Sequence, residues 1–195
     1  MSKAWRWVVI TSLLIGLSAC GGLRYSEVSP EAKAFHPRVI AVLPADAKTF
    51  PEAKEPVDGL FAEVLTERGW FATVVGGRAI EKRMAADEPL RQTVTEYLGK
   101  LNRLSFSDPG LSGRIGEMTK AEALFLVRVD YWGHTVENDE KMGKVGISLW
   151  MIEAKTGKFI WRASHTRASE YLLVKPELAD VARSLLREMV AHLPR

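Results

Sequence analysis

Residues 38–75 read RVIAVLPADAKTFPEAKEPVDGLFAEVLTERGWFATVV. Arg38–Leu43 is a short β-branched run stopped by Pro44, the pattern of a buried strand. Pro44 to Glu55, rich in Pro, Ala, Lys and Asp, reads as a loop, and Pro56 opens a helix. Val57, Leu60, Phe61, Val64 and Leu65 then fall at i, i+3, i+4, i+7 and i+8, which makes one apolar stripe. Gly69 stands where a helix C-terminal cap belongs. Trp70–Val75 is a second strand, ended by Gly76 and Gly77. Strand, helix, strand at these lengths predicts a βαβ unit whose two strands run parallel.

Toward the C-terminus the pattern turns helical. Arg78–Ala86 is a short candidate helix. Pro89 to about Leu104 is a better one, with Leu90, Val94, Tyr97, Leu98, Leu101 and Leu104 on one face. Asp108 and Pro109 form an N-cap and first helical position, followed by Leu111, Ile115 and Met118 at helical spacing. Leu124–Thr135 then alternates, with Phe125, Val127, Val129 and Tyr131 on one face and Arg128 and Asp130 opposite. Asn138 to Gly143 reads as a polar turn. Val145–Ala154 alternates again, Thr156-Gly157 makes a tight turn, and Phe159–Thr166 is a third strand. Short loops with period-two patterning predict an antiparallel meander. Pro176 opens a last helix, lined by Leu178, Val181, Ala182, Leu185, Leu186, Met189 and Val190. The expected fold is α/β, a mixed sheet of about five strands built as β-α-β, helices, a three-stranded meander and a C-terminal helix.

Toward the N-terminus, Lys3 and Arg6 precede an apolar run from Trp7 to Leu17, interrupted by Thr11, Ser12 and Gly16. A run of this length falls short of the ~20 residues that cross a bilayer. Its charged start and small-residue end match a secretory signal peptide. The closing Leu17-Ser18-Ala19-Cys20-Gly21 resembles the lipobox of bacterial lipoproteins. That resemblance implies a signal peptide over 1–19, cleavage before Cys20, and lipid on the Cys20 thiol. Residues 20–37 would be a lipidated tether, and 38–195 a single α/β domain. Gly21, where an aspartate favours inner-membrane retention in enteric bacteria, implies the periplasmic face of the outer membrane.

Composition narrows the function classes. Hydrophobic residues make up 47% of the 195, too many for a disordered chain. The chain has 27 basic and 24 acidic side chains, and losing Lys3 and Arg6 with the signal peptide brings them nearly into balance. No Lys/Arg tract or RNA-binding motif is present, so no nucleic-acid partner is expected. Cys20 is the sole cysteine, which leaves a lipidated domain without disulfide, thiolate metal site or cysteine nucleophile.

The element order resembles the N-terminal domain of TolB and its lipoprotein relatives, which include the curli secretion factor CsgG and the activator LpoB. The matching stretches are RVIAVLP at Arg38–Pro44, ERGW at Glu67–Trp70, AEALFLVRVDYWG at Ala121–Gly133 and EAKTGKFIWRA at Glu153–Ala163, with its Thr156-Gly157 turn and Trp161. The small lipoproteins of this group match best in length, and the resemblance implies binding to other envelope proteins. Two departures limit it: the chain lacks the long apolar hairpins of a pore, and its tether is short.

Chemistry is sparse. His36, His134, His165 and His192 show no metal-binding spacing, and no GxSxG, P-loop or dinucleotide glycine motif occurs. No catalytic residue, metal ligand or cofactor is expected. Arg128 and Asp130, two apart on one strand, form a candidate pair. Trp132 and Trp150 complete a candidate partner surface, because Trp150 falls opposite the Val145, Ile147, Leu149, Met151 face and tryptophan is enriched at binding hot spots. The leading expectation is a non-enzymatic, lipid-anchored interaction protein of the periplasm, with an envelope protein partner and possible self-association. The alternatives are an accessory subunit of an oligomeric secretion or transport complex, and a hydrolase with no visible nucleophile.

Overall fold

The computed structural model describes residues 23–194. The expected signal peptide and Cys20 lie outside the described residues. The strands are β1 (Tyr25–Val28), β2 (Val39–Val42), β3 (Thr73–Val75), β4 (Ala123–Glu137), β5 (Glu140–Glu153) and β6 (Phe159–Glu170). The helices are α1 (Lys54–Arg68), α2 (Arg78–Ala86), α3 (Glu88–Leu104), α4 (Pro109–Thr119) and α5 (Leu178–Val190). One sheet holds all six strands in the order β1-β6-β5-β4-β2-β3. β2 runs parallel to β3 and to β4, and the remaining pairs are antiparallel.

The βαβ unit over 38–75 and the meander over 123–170 form as their patterns predict. Helices cover both faces of the sheet. On one face Val57, Phe61, Val64 and Leu65 of α1 and Val181, Leu185, Leu186 and Met189 of α5 pack on Ile40, Phe125, Val127, Ile147, Leu149 and Trp161. On the other, Leu90, Val94 and Tyr97 of α3 and Leu111 and Ile115 of α4 pack on Leu43, Leu124, Leu126 and Ile152. Tyr97 is buried with its hydroxyl 2.8 Å from that of Ser107, and desolvation pushes its pKa up to about 12. Caps set the helix ends: Gly69 closes α1 at φ 65°, and the Asp108 carboxylate accepts the Gly110 and Leu111 N–H groups at the start of α4.

Four expectations need correction. The sheet has six strands, not about five, because Tyr25–Val28 pairs with β6. That strand belonged to the expected tether over 20–37. Its four side chains are exposed, so no apolar pattern marks it, and ladder hydrogen bonds, with a side-chain bond from Trp161 to Ser26, make it an edge strand. Residues 30–34 then form a 3₁₀ turn with Ala32 buried, so the ordered domain starts well before residue 38.

The second correction is the hairpin between β4 and β5. Glu140 to Gly143 is strand rather than turn; only Asn138 and Asp139 turn, both at positive φ (52° and 65°), as a two-residue type I′ hairpin requires.

Third, the β4 register shifts between Val129 and Tyr131. This bulge at Asp130 flips the parity beyond it. Tyr131 leaves the Val129 face and stands opposite Gly146, while Trp132 turns into the core at 8% exposure.

Fourth, Leu104 is exposed at the end of α3 rather than packed with Leu90 and Val94.

Candidate functional site

Of the four residues expected to form a partner surface, the fold brings three together. Trp132 is the exception, since the bulge buries it. Beyond Leu126 the helices no longer cover the second face of the sheet, and Arg128 and Asp130 are exposed there. The bulge keeps both on that face. The Arg128 Nε–H donates to Asp130 Oδ1 at 2.8 Å, and the buried Ser148 hydroxyl donates to Asp130 Oδ2 at 2.6 Å. Asp130 is thus held from two strands, and it aims Arg128. The Arg128 guanidinium carbon lies 5.0 Å from the centre of the Trp150 ring, a cation–π distance.

Strand register extends this cluster sideways. Leu126, Trp150, Arg162 and Glu27 form one row across β4, β5, β6 and β1. Arg162 lies 3.9 Å over the Phe159 ring, and its Nη1 comes within 3.8 Å of Glu27 Oε2. Its Nε is the one buried side-chain polar atom without a partner among the described residues. A buried donor left unmatched is uncommon in folded proteins. Leu101, Asn102 and Ser105, at the end of α3, wall the far side and close a cleft of about 230 Å³ over Trp150, Phe159, Arg128 and Arg162. Two arginines lie on two aromatics, with amide and hydroxyl groups at the rim. The arrangement suits an acidic or aromatic side chain from outside. Arg162, Phe159 and the α3 wall went unseen in the sequence, because only register sets them beside Trp150.

Elsewhere, several polar groups are paired with one another. The crevice at the carboxyl ends of parallel strands is the usual ligand site of an open α/β sheet. Here a groove of about 640 Å³ lies beside it, and Asp58 lines the groove together with Glu55, Glu63, Arg78 and Glu81. The Asp58 carboxylate accepts the Ala45 N–H at 2.6 Å and the Lys54 ammonium at 2.7 Å, and Lys54 also reaches Glu81 at 3.1 Å. A groove of about 800 Å³ lies at the β5–β6 turn end and is lined by His36, Arg114, Glu117, Glu122, Glu153 and Lys155. Glu122 spends its carboxylate on the backbone N–H groups of Arg38 and Val39. Among the described residues, no three His, Cys, Asp or Glu side chains are grouped to hold a metal, and no helix is long and apolar enough to cross a membrane.

Fold and site together define a mixed α/β sheet protein with helices on both faces and an arginine–aromatic cleft on an otherwise open half-face. No family profile matches the sequence, and no curated protein sequence is detectably similar to it. Solved structures do share the fold. PelC of Paraburkholderia phytofirmans, solved as a dodecamer, superposes with a TM-score of 0.54 at 17% identity over 90% of this chain and 100% of that chain. Lipoprotein GNA1162 of Neisseria meningitidis gives 0.50 at 14% identity over 80% of this chain and 99% of its own. The hypothetical protein CT253 of Chlamydia trachomatis gives 0.56 at 10% identity, covering 80% and 95%. At these identities the likeness is one of fold.

Proposed function

We propose that this chain is a lipid-anchored protein of the bacterial cell envelope that works by binding another envelope protein, not by catalysis. The observation that carries the reading is the cleft at Trp150. It gathers two arginines and two aromatic rings, the residue types that anchor interfaces, and leaves the Arg162 Nε–H unmatched. The Leu17–Gly21 motif supplies the anchor, through lipid on Cys20. The resemblance to TolB-type lipoproteins and the fold shared with lipoprotein GNA1162 agree with an envelope setting, and Gly21 after Cys20 favours the periplasmic face of the outer membrane.

The test has two arms. Mass spectrometry of the chain from its host reports whether Cys20 carries lipid, and Cys20→Ser is expected to move the protein into the soluble fraction. Photo-crosslinking from Asn102, on the cleft wall, is expected to capture a discrete partner in cells. Trp150→Ala is expected to abolish that capture while the protein stays folded. Capture unchanged by Trp150→Ala removes the cleft from the account.

A second reading, a subunit of an oligomeric secretion or transport complex, is favoured by one observation: the PelC fold that spans 90% of this chain was solved as a dodecamer. Light scattering on the soluble domain separates the readings, since a ring subunit gives a mass many times that of one chain.

A further inference from the structure

Leu172, Leu173 and Val174 are 90, 94 and 82% exposed, between the end of β6 and the start of α5. A run of bulky aliphatic side chains left in water is a fault in a domain unless something covers it. This loop is held in place at its base. The Tyr171 N–H donates to the Lys141 carbonyl at 2.9 Å, and His134 Nε2 lies 3.0 Å from the Pro176 carbonyl oxygen. The His134 ring meets Tyr171 edge-on at 5.8 Å. Gly143 leaves the space Pro176 fills: a Cβ there would sit 2.6 Å from Pro176 Cγ. Beside the loop stands the Asn138–Asp139 hairpin tip, where Val136 is also exposed.

The register of β1 says which surface this end of the molecule meets. Tyr25 pairs with Ser164 and Val28 with Trp161, so the chain before Tyr25 heads in the direction that β6 takes toward Glu170. The Arg24 N–H continues the approach, donating to His165 Nδ1 at 3.1 Å. From Tyr25 back to Cys20 an extended chain spans at most about 17 Å. From Ser164 to Glu170 the strand covers about 20 Å. A tether of this length, continued along β6, would bring Cys20 toward the end of the sheet that carries Leu172–Val174.

We propose that Leu172, Leu173 and Val174 dip into the head-group layer of the same bilayer that takes the lipid on Cys20, a second contact that fixes the orientation of the domain. The proposal rests on reading Cys20 as lipidated. Asp139, Glu140 and Glu170 stand beside the loop with Lys141, and Glu137 is paired with Lys144 at 2.6 Å, so attraction to anionic lipid does not seat it. Burial of the aliphatic side chains does, as in interfacial segments that enter the head-group boundary.

The experiment uses the full chain from its host, bound to phosphatidylcholine vesicles that contain lipid with a nitroxide high on the acyl chain. A fluorophore is placed at residue 173 by Leu173→Cys. In a separate sample it is placed at 155 by Lys155→Cys, in the β5–β6 turn about 35 Å away along the sheet. Quenching is expected to be several-fold greater at 173 than at 155, and unchanged when phosphatidylglycerol replaces part of the phosphatidylcholine. Equal quenching at the two positions overturns the proposal. So does a concentration-dependent blue shift at 173 without vesicles, which marks a second copy as the cover. The mass of the N-terminal peptide reports lipid on Cys20 independently. A chain without lipid refutes the anchor alone, and quenching at 173 by added vesicles still decides the loop.

Discussion

The Trp161 indole N–H donates to the Ser26 hydroxyl at 3.2 Å, across the β1–β6 edge. Trp161 is among the largest fully buried side chains, and this bond ties it to a strand whose own side chains bury nothing. Ser26→Ala is expected to cost about 1 kcal/mol, the net worth of one hydrogen bond. Trp161→Ala is expected to cost about 3–5 kcal/mol by opening a cavity in the core. Urea unfolding measures both. A Ser26→Ala cost matching that of Trp161→Ala would show that β1, not the core, holds the tryptophan.

Asp58 governs the junction between β2 and α1. Its burial holds the carboxyl above the usual carboxylate range, against the pull of Lys54 and of the Ala45 N–H. A raised folded pKa means that the folded chain keeps a proton the unfolded chain has released. Stability from this group is therefore full below the ordinary carboxylate pKa and declines as pH rises through the raised value. Asp58→Asn is expected to keep the Ala45 bond and remove that decline. Asp58→Ala is expected to cost about 1–3 kcal/mol at every pH, because the Ala45 N–H loses its acceptor. Unfolding across a pH series distinguishes the two.

Glu31 acts in the opposite sense. The Ser29 hydroxyl, and after it Lys158, hold its carboxyl down at about 2. A lowered folded pKa gives stability that is present above the ordinary carboxylate pKa and is lost as pH falls toward the lowered value. Glu31→Gln is expected to flatten the acid limb of the stability curve between about pH 4.5 and 2. The site is exposed, so the effect is read as a change of slope in the acid midpoint; an unchanged slope would detach Glu31 from the docking of residues 30–34.

Arg128 and Trp150 form a pair that a double-mutant cycle isolates. Their stacking is half exposed, and the expected coupling is about 0.5–1 kcal/mol. Asp130→Ala is expected to reduce that coupling without touching either residue, since Asp130 Oδ1 holds the Arg128 Nε–H. Coupling that survives the loss of Asp130 means that the strand alone aims the arginine.

Much of this fold is legible in the chain itself. The stripes of α1, α3 and α5 and the alternation of β4 and β5 are written in the sequence because one face of each element buries apolar surface, and burial leaves a period. Gly69, Asp108 and Thr156-Gly157 mark ends and turns because backbone conformation and capping select particular residues. Tertiary structure alone decided the rest. Tyr25–Val28 joins the sheet mainly through backbone hydrogen bonds, which any sequence supplies. The bulge at Asp130 adds one residue and so sends Trp132 inward and Tyr131 outward, although alternation without it predicts the reverse. The cleft pairs Trp150 with Arg162 and with the end of α3, residues brought together by register and not by spacing. The exposure of Leu172–Val174 likewise follows from where β6 ends and α5 begins, since an apolar triplet reads the same in a core as at a surface.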